Sequence, residues 1–167
     1  FDLSSLRVVF EGGEALGQAV VGWFEDLIEE VAVHEGYGQT EAGVFIGDCE
    51  ALGVEHEPGS MGKPTPGSDI QVVEPGTTEP VETGEVGELA LAYERNPGCL
   101  LEYWSKPEKT AQKVLNGWLL TEDLVSRSSG GYVSFHSRAD DVIISSGYRI
   151  GPAEIEESLA THESVAD

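Results

Sequence analysis

A strand, a helix and a second strand, with glycines in the first turn, constrain the fold of this chain most strongly. Residues 6–10 form a short apolar run that ends at Gly12 and Gly13, which is typical of a buried strand. Residues 31–34 are the next apolar run. Between them, apolar residues recur every three or four positions and predict an amphipathic helix; they are Leu16, Val20, Trp23, Phe24, Leu27 and Ile28. This order predicts two parallel strands joined by a right-handed crossover.

The loops that follow these two strands are the first candidate site. Ligands collect beyond the carboxyl ends of parallel strands, so residues 11–15 and 35–41 are expected to face one pocket. Gly12 and Gly13 would let the backbone approach a flat ligand closely, although a simple strand-to-helix turn explains them as well.

The middle of the chain has the pattern of a small antiparallel barrel or bent sheet. Glycine- and proline-rich residues 51–67 predict a loop at a subdomain boundary. Four strands are expected at residues 69–73, 88–92, 118–121 and 132–137, with hairpin turns at 84–87 and 128–131. One helix interrupts them. Ser105 and Glu108 form a capping box at its start, and it continues through Leu115 until Gly117 ends it.

Residues 137–150, SRADDVIISSGYRI, combine charged side chains with a tight turn. Arg138, Arg149 and two adjacent aspartates flank a short apolar strand at 142–145. Arginines beside such a small turn suit a phosphate or carboxylate that approaches the backbone. A salt-bridged hairpin at the edge of a barrel is the alternative.

Residues 137–159, SRADDVIISSGYRIGPAEIEESL, resemble the hinge motif of the adenylate-forming acyl-CoA synthetases, the adenylation domains of peptide synthetases and the luciferases. The usual form is Gly-Arg-x-Asp-Asp-x-Ile, then Gly-Tyr-Arg-Ile and Glu-Ile-Glu, and only the leading glycine departs, since Ser137 replaces it. Two more motifs of the family stand upstream in the right order. They are YGQTE at 37–41 and WLLTED at 118–123, where the family usually has Thr-Gly-Asp. The resemblance covers nearly the whole chain.

The resemblance implies an α/β fold in four parts. Residues 1–66 would end an α/β nucleotide-binding subdomain, and residues 67–137 would form a small, β-rich, barrel-like subdomain. Residues 138–141 would be the hinge, and residues 142–167 would begin a mobile α+β C-terminal domain. The chain is therefore expected to be a fragment of a longer protein.

The resemblance also implies a nucleotide pocket between the two loops. Tyr37 would stack on the adenine, which aromatic rings do well. Thr40 would face the phosphates, and Glu41 would hold Mg²⁺, since carboxylate and phosphate oxygens suit a hard cation. Taken alone, Tyr37 could be a core aromatic and Glu41 a solvated acid. The cofactor-binding residues of this pocket are Gly13, Glu14, Ala15, Glu35, Gly36, Tyr37, Gly38, Gln39 and Thr40.

The ribose and hinge side of the site follows from the other two motifs. Asp123 would accept hydrogen bonds from both ribose hydroxyls. Glu122 replaces the usual glycine beside it, which would strain any positive φ and brings a negative charge near the nucleotide. Arg138 aligns with an arginine that touches ribose or phosphate, and Asp140 aligns with the pivot of the hinge. Arg149 aligns with an arginine that neutralises phosphate charge, and it is assigned to catalysis together with Thr40 and Glu41.

The acyl and coenzyme A sides of the site rest on fewer residues. Ser146 and Gly147 would line the pantetheine tunnel after the C-terminal domain rotates. Gly38 stands where acetyl-CoA synthetases of the family have a tryptophan, which implies room for a medium-chain or branched acyl group. Tyr103 and Trp104 are assigned to packing.

The implied function is that of an AMP-forming acyl-CoA synthetase, with a carboxylic acid, ATP and coenzyme A as substrates and Mg²⁺ at the phosphates. An adenylation domain that loads a carrier protein and a non-catalytic nucleotide-binding relative are the alternatives, followed by an acidic structural domain. The family's phosphate loop and C-terminal catalytic lysine have no counterpart in these 167 residues. The fragment alone is therefore expected to be inactive.

The charge of the chain limits its possible binding partners, and its cysteines indicate its redox compartment. The chain has 31 acidic and 9 basic residues, a net charge of −22, which disfavours nucleic acid and anionic membranes. Such a composition suits a halophilic protein, because salt screens the self-repulsion; an acidic partner-binding face is the competing interpretation. Cys49 and Cys99 are far apart and indicate a reduced, cytoplasmic protein. No membrane span or signal peptide is expected, and the sequence predicts no oligomeric state.

Overall fold

A computed structural model gives the chain the mixed α/β architecture that the sequence predicts, with few helices and one curled sheet. It describes residues 3, 5–13, 18–28, 31–145, 148–152, 155, 158–159, 162 and 164–165. Its helices are α1 (Gln18–Leu27) and α2 (Pro107–Lys113), with a 3₁₀ turn at Glu50–Leu52. Its strands are β1 (Val8–Glu11), β2 (Ala32–Gln39), β3 (Gly43–Gly47), β4 (Lys63–Pro64), β5 (Ile70–Val73), β6 (Val86–Ala92), β7 (Val114–Leu115), β8 (Trp118–Arg127), β9 (Val133–Arg138), β10 (Ile143–Ser145) and β11 (Tyr148–Ile150).

The first sheet has the order β1-β2-β3-β4. β1 and β2 run parallel, with Val8 opposite Ala32, and α1 connects them, so the predicted crossover unit is confirmed. Of the helix side chains that the structure describes, Val21 is buried, whereas Trp23 and Leu27 are each more than half exposed. The inward face is therefore rotated from the stripe that the sequence suggests.

The second sheet is antiparallel and curls into half a barrel. Its order is β5-β6-β8-β7, and β9 pairs with the later half of β8. The four predicted strands are all present, but β8 is much longer than residues 118–121, because it continues through Asp123 to Arg127.

The helix of this region differs from its prediction. α2 begins after Lys106, and Ser105 has φ 53, a left-handed conformation that a capping residue does not adopt. The predicted capping box is therefore wrong. Val114 and Leu115 leave the helix to pair with the start of β8, because β7 completes that edge of the sheet.

One apolar core joins the two sheets. Phe45 and Ile46 of β3 are fully buried, and they pack with side chains of the curled sheet. The buried members of this core are Ala42, Phe45, Ile46, Ile70, Val72, Leu89, Leu91, Leu119, Val125 and Val133. This shared core holds β2 against the middle of β8, where the candidate site lies.

A buried aspartate braces β2 just before the site. Asp48 follows β3, and its Oδ1 accepts hydrogen bonds from His34 Nδ1 at 2.9 Å and from the backbone N–H of Glu35 at 3.0 Å. Its Oδ2 accepts from His56 Nδ1 at 2.9 Å. These bonds tie β2 to the loop after β3.

β10 and β11 form an antiparallel hairpin after β9, with Ser145 opposite Tyr148. The strand expected at 142–145 is thus confirmed as β10. Most of the helix expected after it lies outside the described residues. Within the described part of the chain, no helix is long and apolar enough to cross a membrane.

Candidate functional site

The turn after β1 lies against β2, whereas residues 35–39, which were expected in the loop after the second strand, are the later half of that strand. A Cβ on Gly12 would come within 2.7 Å of the carbonyl oxygen of Gly36, and a Cβ on Gly36 would overlap the ring of Phe10. Both positions therefore need glycine for close backbone approach. Gly13 has φ 128, which also favours glycine.

Gly38 lies where the backbone of β2 packs tightly against that of β3. The pairing of the two strands shifts between Tyr37 and Gly38. A Cβ at position 38 would overlap the carbonyl of Gly43 and would lie 2.7 Å from Cα of Val44. The missing side chain at Gly38 is thus explained by the backbone of the neighbouring strand, and by itself it gives no measure of the acyl pocket.

A bulge in β8 presents Asp123. Between two paired positions β6 has a single residue, Leu89, where β8 has three, Thr121, Glu122 and Asp123. The Thr121 hydroxyl donates to the carbonyl of Leu89 at 2.8 Å and accepts the N–H of Asp123 at 3.2 Å. Bulges of this kind re-aim side chains next to functional sites. Here the bulge turns Asp123, which is only 4% exposed, toward β2.

Two predicted residues of β2 bind Asp123 directly. The Tyr37 hydroxyl donates to Asp123 Oδ2 at 2.5 Å, and Gln39 Nε2 donates to the same oxygen at 2.7 Å. Gln39 Nε2 also donates to the carbonyl of Thr121 at 2.8 Å. Among the described residues, Gln39 Oε1 is buried without a hydrogen-bond partner, which leaves an acceptor for a donor group of a ligand.

Burial, together with the charge of Asp123, keeps Tyr37 protonated. Burial raises the pKa of the Tyr37 hydroxyl far above its usual range, and the negative charge of Asp123 raises it further. The Tyr37 ring packs edge-on against Phe45, with centroids 5.3 Å apart. Tyr37 therefore acts as a fixed donor that orients the Asp123 carboxylate.

Arg138 joins this cluster to the predicted hinge. Asp123 and Arg138 are paired residues of β8 and β9, and Nη1 of Arg138 lies 3.5 Å from Asp123 Oδ1. Its Nε donates to Asp140 Oδ1 at 3.1 Å. Partial burial lowers the pKa of Arg138, but the carboxylates of Asp123, Asp140 and Glu122 outweigh it, so the net pKa lies above its ordinary value. One guanidinium thus contacts both Asp123 of the sheet and Asp140 of the predicted hinge.

Glu122 adopts the strained conformation that its motif requires. Its φ is 65, in the left-handed region that favours glycine. Its backbone N–H donates to Glu88 Oε1 at 2.8 Å, and its Oε2 lies 3.2 Å from Lys113 Nζ. The strain expected from the sequence is therefore present, and the chain supplies a cation beside the extra carboxylate.

Glu41, the predicted magnesium ligand, is oriented by Tyr103. The Tyr103 hydroxyl donates to Glu41 Oε1 at 2.7 Å, and this bond is the largest reason why the pKa of Glu41 lies below its usual value. Lys109 lies over the Tyr103 ring at 4.9 Å. Among the described residues, no group of three or more His, Cys, Asp or Glu side chains could hold a metal. Glu41 fits a Mg²⁺ that takes most of its ligands from phosphate and water.

The structure leaves part of the predicted site outside its description. Glu14, Ala15, Ser146 and Gly147 are outside the described residues, and for Arg149 only the backbone, in β11, is described. Thr40 is exposed in the turn after β2. The described part brings together β2, β8 and β9 through Tyr37, Gln39, Asp123 and Arg138.

Three contributors to the candidate site carry no signal in the sequence. Lys113 is 6% exposed and donates to the carbonyl of Thr121 at 3.2 Å, but a lone lysine in a helix pattern gives no signal of burial. Glu88 is buried at 4% exposure inside a strand, where its neighbours predict only apolar packing. Tyr103 was assigned to packing, and its hydroxyl in fact reaches Glu41 across 62 positions of sequence.

Comparison with known proteins finds relatives along the whole chain. A family model described as "AMP-binding enzyme" matches residues 1–104. The uncharacterized acyl-CoA ligase YtcI of Bacillus subtilis is 39% identical over 168 residues, which is 100% of this chain and 31% of YtcI. Human mitochondrial acyl-coenzyme A synthetase ACSM4 is 39% identical over 170 residues, which is 100% of this chain and 28% of that protein.

Solved structures agree with the fold. The anthranilate CoA ligase AuaEII in complex with anthranoyl-AMP matches 98% of this chain and 30% of its own, with a TM-score of 0.84 and 32% identity. O-succinylbenzoate coenzyme A synthetase (MenE) from Bacillus subtilis, in complex with ATP and magnesium ion, matches 98% of this chain and 33% of its own, with a TM-score of 0.83 and 27% identity. The chain spans a third or less of the length of each of these four proteins.

Proposed function

Because the chain belongs to the AMP-binding enzyme family, we propose that it is the hinge-containing part of an AMP-forming acid–thiol ligase. The observation that carries the proposal is the Asp123 carboxylate, buried and held by Tyr37, Gln39 and Arg138. A fixed carboxylate with neighbouring unused hydrogen-bonding capacity suits the two hydroxyls of a ribose. The domain boundaries near residues 66, 137 and 141 belong to the same proposal.

In the proposed reaction the carboxylate of an acid attacks the α-phosphorus of ATP, and pyrophosphate leaves. The thiol of coenzyme A then attacks the acyl carbon, and AMP leaves. Arg138 and Arg149 would balance negative charge at the nucleotide, and Thr40 would donate to a phosphate oxygen. Mg²⁺ held by Glu41 would neutralise phosphate charge.

The acid is the least constrained part of the proposal. A medium-chain acid was expected from Gly38, but the contact with Gly43 explains that glycine without any pocket. The names of the relatives indicate an acyl group, anthranilate and O-succinylbenzoate as the substrates of those proteins. We therefore propose a carboxylic acid, with medium chains as the first class to test.

The test is carboxylate-dependent ATP–pyrophosphate exchange by the full-length parent, in molar KCl, with acids from acetate to decanoate. Molar salt is chosen because a net charge of −22 needs screening in a protein proposed to be halophilic. Asp123→Asn should lower exchange strongly, through a higher KM for ATP. Asp69→Asn is the matched control, because Asp69 pairs with Arg95 on the exposed edge at 2.7 Å.

The outcomes of this assay distinguish the ligase from the two alternative functions. Exchange followed by thioester formation with free coenzyme A supports the ligase, and exchange with transfer only to a carrier protein supports the loading domain. ATP binding without exchange with any acid would overturn the proposal in favour of a non-catalytic relative. The isolated 167 residues are expected to give no exchange. A reduced, cytoplasmic setting is part of the proposal, since Cys49 and Cys99 are both free thiols.

A further inference from the structure

Glu122 combines backbone strain with a specific charge environment. Its φ of 65 lies in a region where glycine, asparagine and aspartate are at ease and glutamate is not. The backbone around it is held from both sides. Its N–H donates to Glu88 Oε1 at 2.8 Å, and its carbonyl accepts the N–H of Ala139, in the hinge, at 2.8 Å. The left-handed conformation is thus enforced by neighbours of Glu122 and places its side chain at the start of the hinge.

The carboxylate of Glu122 lies between two cations. Its Oε2 is 3.2 Å from Lys113 Nζ and 3.5 Å from Nη2 of Arg138. The Lys113 side chain is only 6% exposed, so its charge needs a carboxylate partner, and Glu122 is anchored there. The Arg138 side chain is 42% exposed, so solvent screens its ion pairs more than it would screen a buried pair. Lys113 therefore anchors the half-exposed Glu122 carboxylate on one side, and Arg138 lies on its other side.

Arg138 is shared between the sheet and the predicted pivot. Nη1 and Nη2 face Asp123 and Glu122, respectively, which belong to β8, whereas Nε faces Asp140. A rotation at Asp140 would carry that third carboxylate away from the guanidinium. Among the described residues, the two carboxylates of β8 would then be the remaining ion-pair partners of the guanidinium, while the backbone of Arg138 stays paired with Asp123.

We propose that Glu122 is a positioning residue for Arg138, one that keeps the guanidinium beside Asp123 at the ribose side of the site when the hinge turns. The role of this restraint in the reaction rests on the proposed function, whereas the restraint on Arg138 itself can be measured without any activity. The acidic replacement of the family's glycine thereby acts as a tether between β8 and the hinge.

The test is limited trypsin digestion of the full-length parent without substrates. Trypsin must capture the Arg138 side chain to cut the Arg138–Ala139 bond, so the cutting rate reports its release. The rate is divided by that at Arg127–Ser128, in the same sheet, so that general unfolding cancels. In Glu122→Gln the ratio should rise about two- to fivefold, the size expected for a partly exposed ion pair.

Two control variants make the result specific. Glu122→Asp keeps the charge and suits the left-handed backbone, so it should restore a ratio close to that of the wild type. Glu94→Gln removes one exposed negative charge elsewhere and should leave the ratio unchanged. An unchanged ratio in Glu122→Gln, or an equal rise in Glu94→Gln, would overturn the tether.

A kinetic readout connects the tether to the reaction. In ATP–pyrophosphate exchange, Glu122→Gln should raise the KM for ATP about threefold, with kcat within a factor of two, because Arg138 is positioned less often. A lower KM would show that Glu122 acts by repelling ATP, and the positioning role would be wrong. If the wild type shows no exchange at all, the proposed function fails, while the trypsin ratio still decides the tether.

Discussion

Replacing Tyr103 by phenylalanine removes one hydroxyl from the candidate magnesium site and nothing else. That hydroxyl donates to Glu41 Oε1 at 2.7 Å, a length typical of a charge-assisted bond. The ring, its contact with Lys109 and the loop around it would remain. Glu41 would keep its place after β2 but lose the contact that orients its carboxylate.

The size of the effect follows from this single bond. Hydrogen bonds to charged groups contribute roughly 1.5–3 kcal/mol, and the lower end applies here because Glu41 and Tyr103 are both partly exposed. About 1.4 kcal/mol corresponds to a factor of ten in an equilibrium constant. A partner of a metal-binding carboxylate typically changes metal affinity by about 10- to 100-fold. We therefore expect the Mg²⁺ concentration for half-maximal exchange to rise about tenfold in Tyr103→Phe.

The assay is a Mg²⁺ titration of ATP–pyrophosphate exchange by the full-length parent, at saturating acid. Tyr93→Phe is the matched control, because the Tyr93 hydroxyl donates to the carbonyl of Leu100 at 2.9 Å in the same loop and does not reach Glu41. Tyr93→Phe should leave the Mg²⁺ dependence unchanged. Equal shifts in the two variants would mean that loop packing, and not orientation of Glu41, controls the metal.

The same variant makes a pH prediction. The pKa of Glu41 is lowered chiefly by the Tyr103 hydroxyl, so its ionised form is favoured in the folded protein. A carboxyl whose pKa is lower in the folded than in the unfolded protein stabilises the fold at pH values above its unfolded pKa. That contribution is lost as the pH falls through its folded pKa. Tyr103→Phe should therefore move the acid limb of the exchange profile to higher pH. An unchanged acid limb would contradict the assignment of that bond.

Three further changes test the framework of the site, each by thermal or urea unfolding of the full-length parent. Tyr37→Phe should cost about 1–2 kcal/mol, because Asp123 loses a buried donor. The pKa of Tyr37 is raised in the folded protein, so the free energy of unfolding of the wild type should fall as the pH rises above about 10, where the unfolded tyrosine ionises. The contribution of Tyr37 to this loss should be absent in Tyr37→Phe. Gly38→Ala should cost about 1–3 kcal/mol through overlap with Gly43. An unchanged stability would mean that position 38 has room for a side chain, as the acyl-pocket interpretation requires. Asp48→Asn should cost about 2 kcal/mol, since one amide oxygen cannot replace both carboxylate oxygens; a loss below about 0.5 kcal/mol would refute its bracing role.

The sequence predicts the elements of the fold better than their packing. Period and turn chemistry located β1, α1, β2 and the four strands of the curled sheet, because each carries its own local signal. Of the apolar positions expected along α1, Ile28 is buried but Trp23 and Leu27 are more than half exposed, since periodicity gives a stripe but not what covers it. Val114 and Leu115 read as helix, and only their tertiary pairing with β8 makes them a strand.

The candidate site shows a similar division. Motifs pointed to Tyr37, Gln39, Asp123 and Arg138, and the structure places these side chains on one carboxylate. What no motif could show is the mode of contact. The close approach of backbones at Gly38 depends on the register between β2 and β3, and register is a property of paired strands, not of either strand alone.

Position 122 shows why a departure from a motif cannot be judged from the motif alone. A left-handed residue other than glycine costs about 1–2 kcal/mol, which by itself would argue for decay of the site. Glu122 stands between Lys113 and Arg138, two of only nine basic residues in a chain of net charge −22. Basic residues are scarce in such a chain, so two of them beside one carboxylate indicate a specific ion-pair site. Without Lys113, the same glutamate would be only a strained, negatively charged residue beside Asp123. The strain and the ion pairs therefore have to be weighed together, and removing Glu122 should release Arg138 while relaxing the backbone.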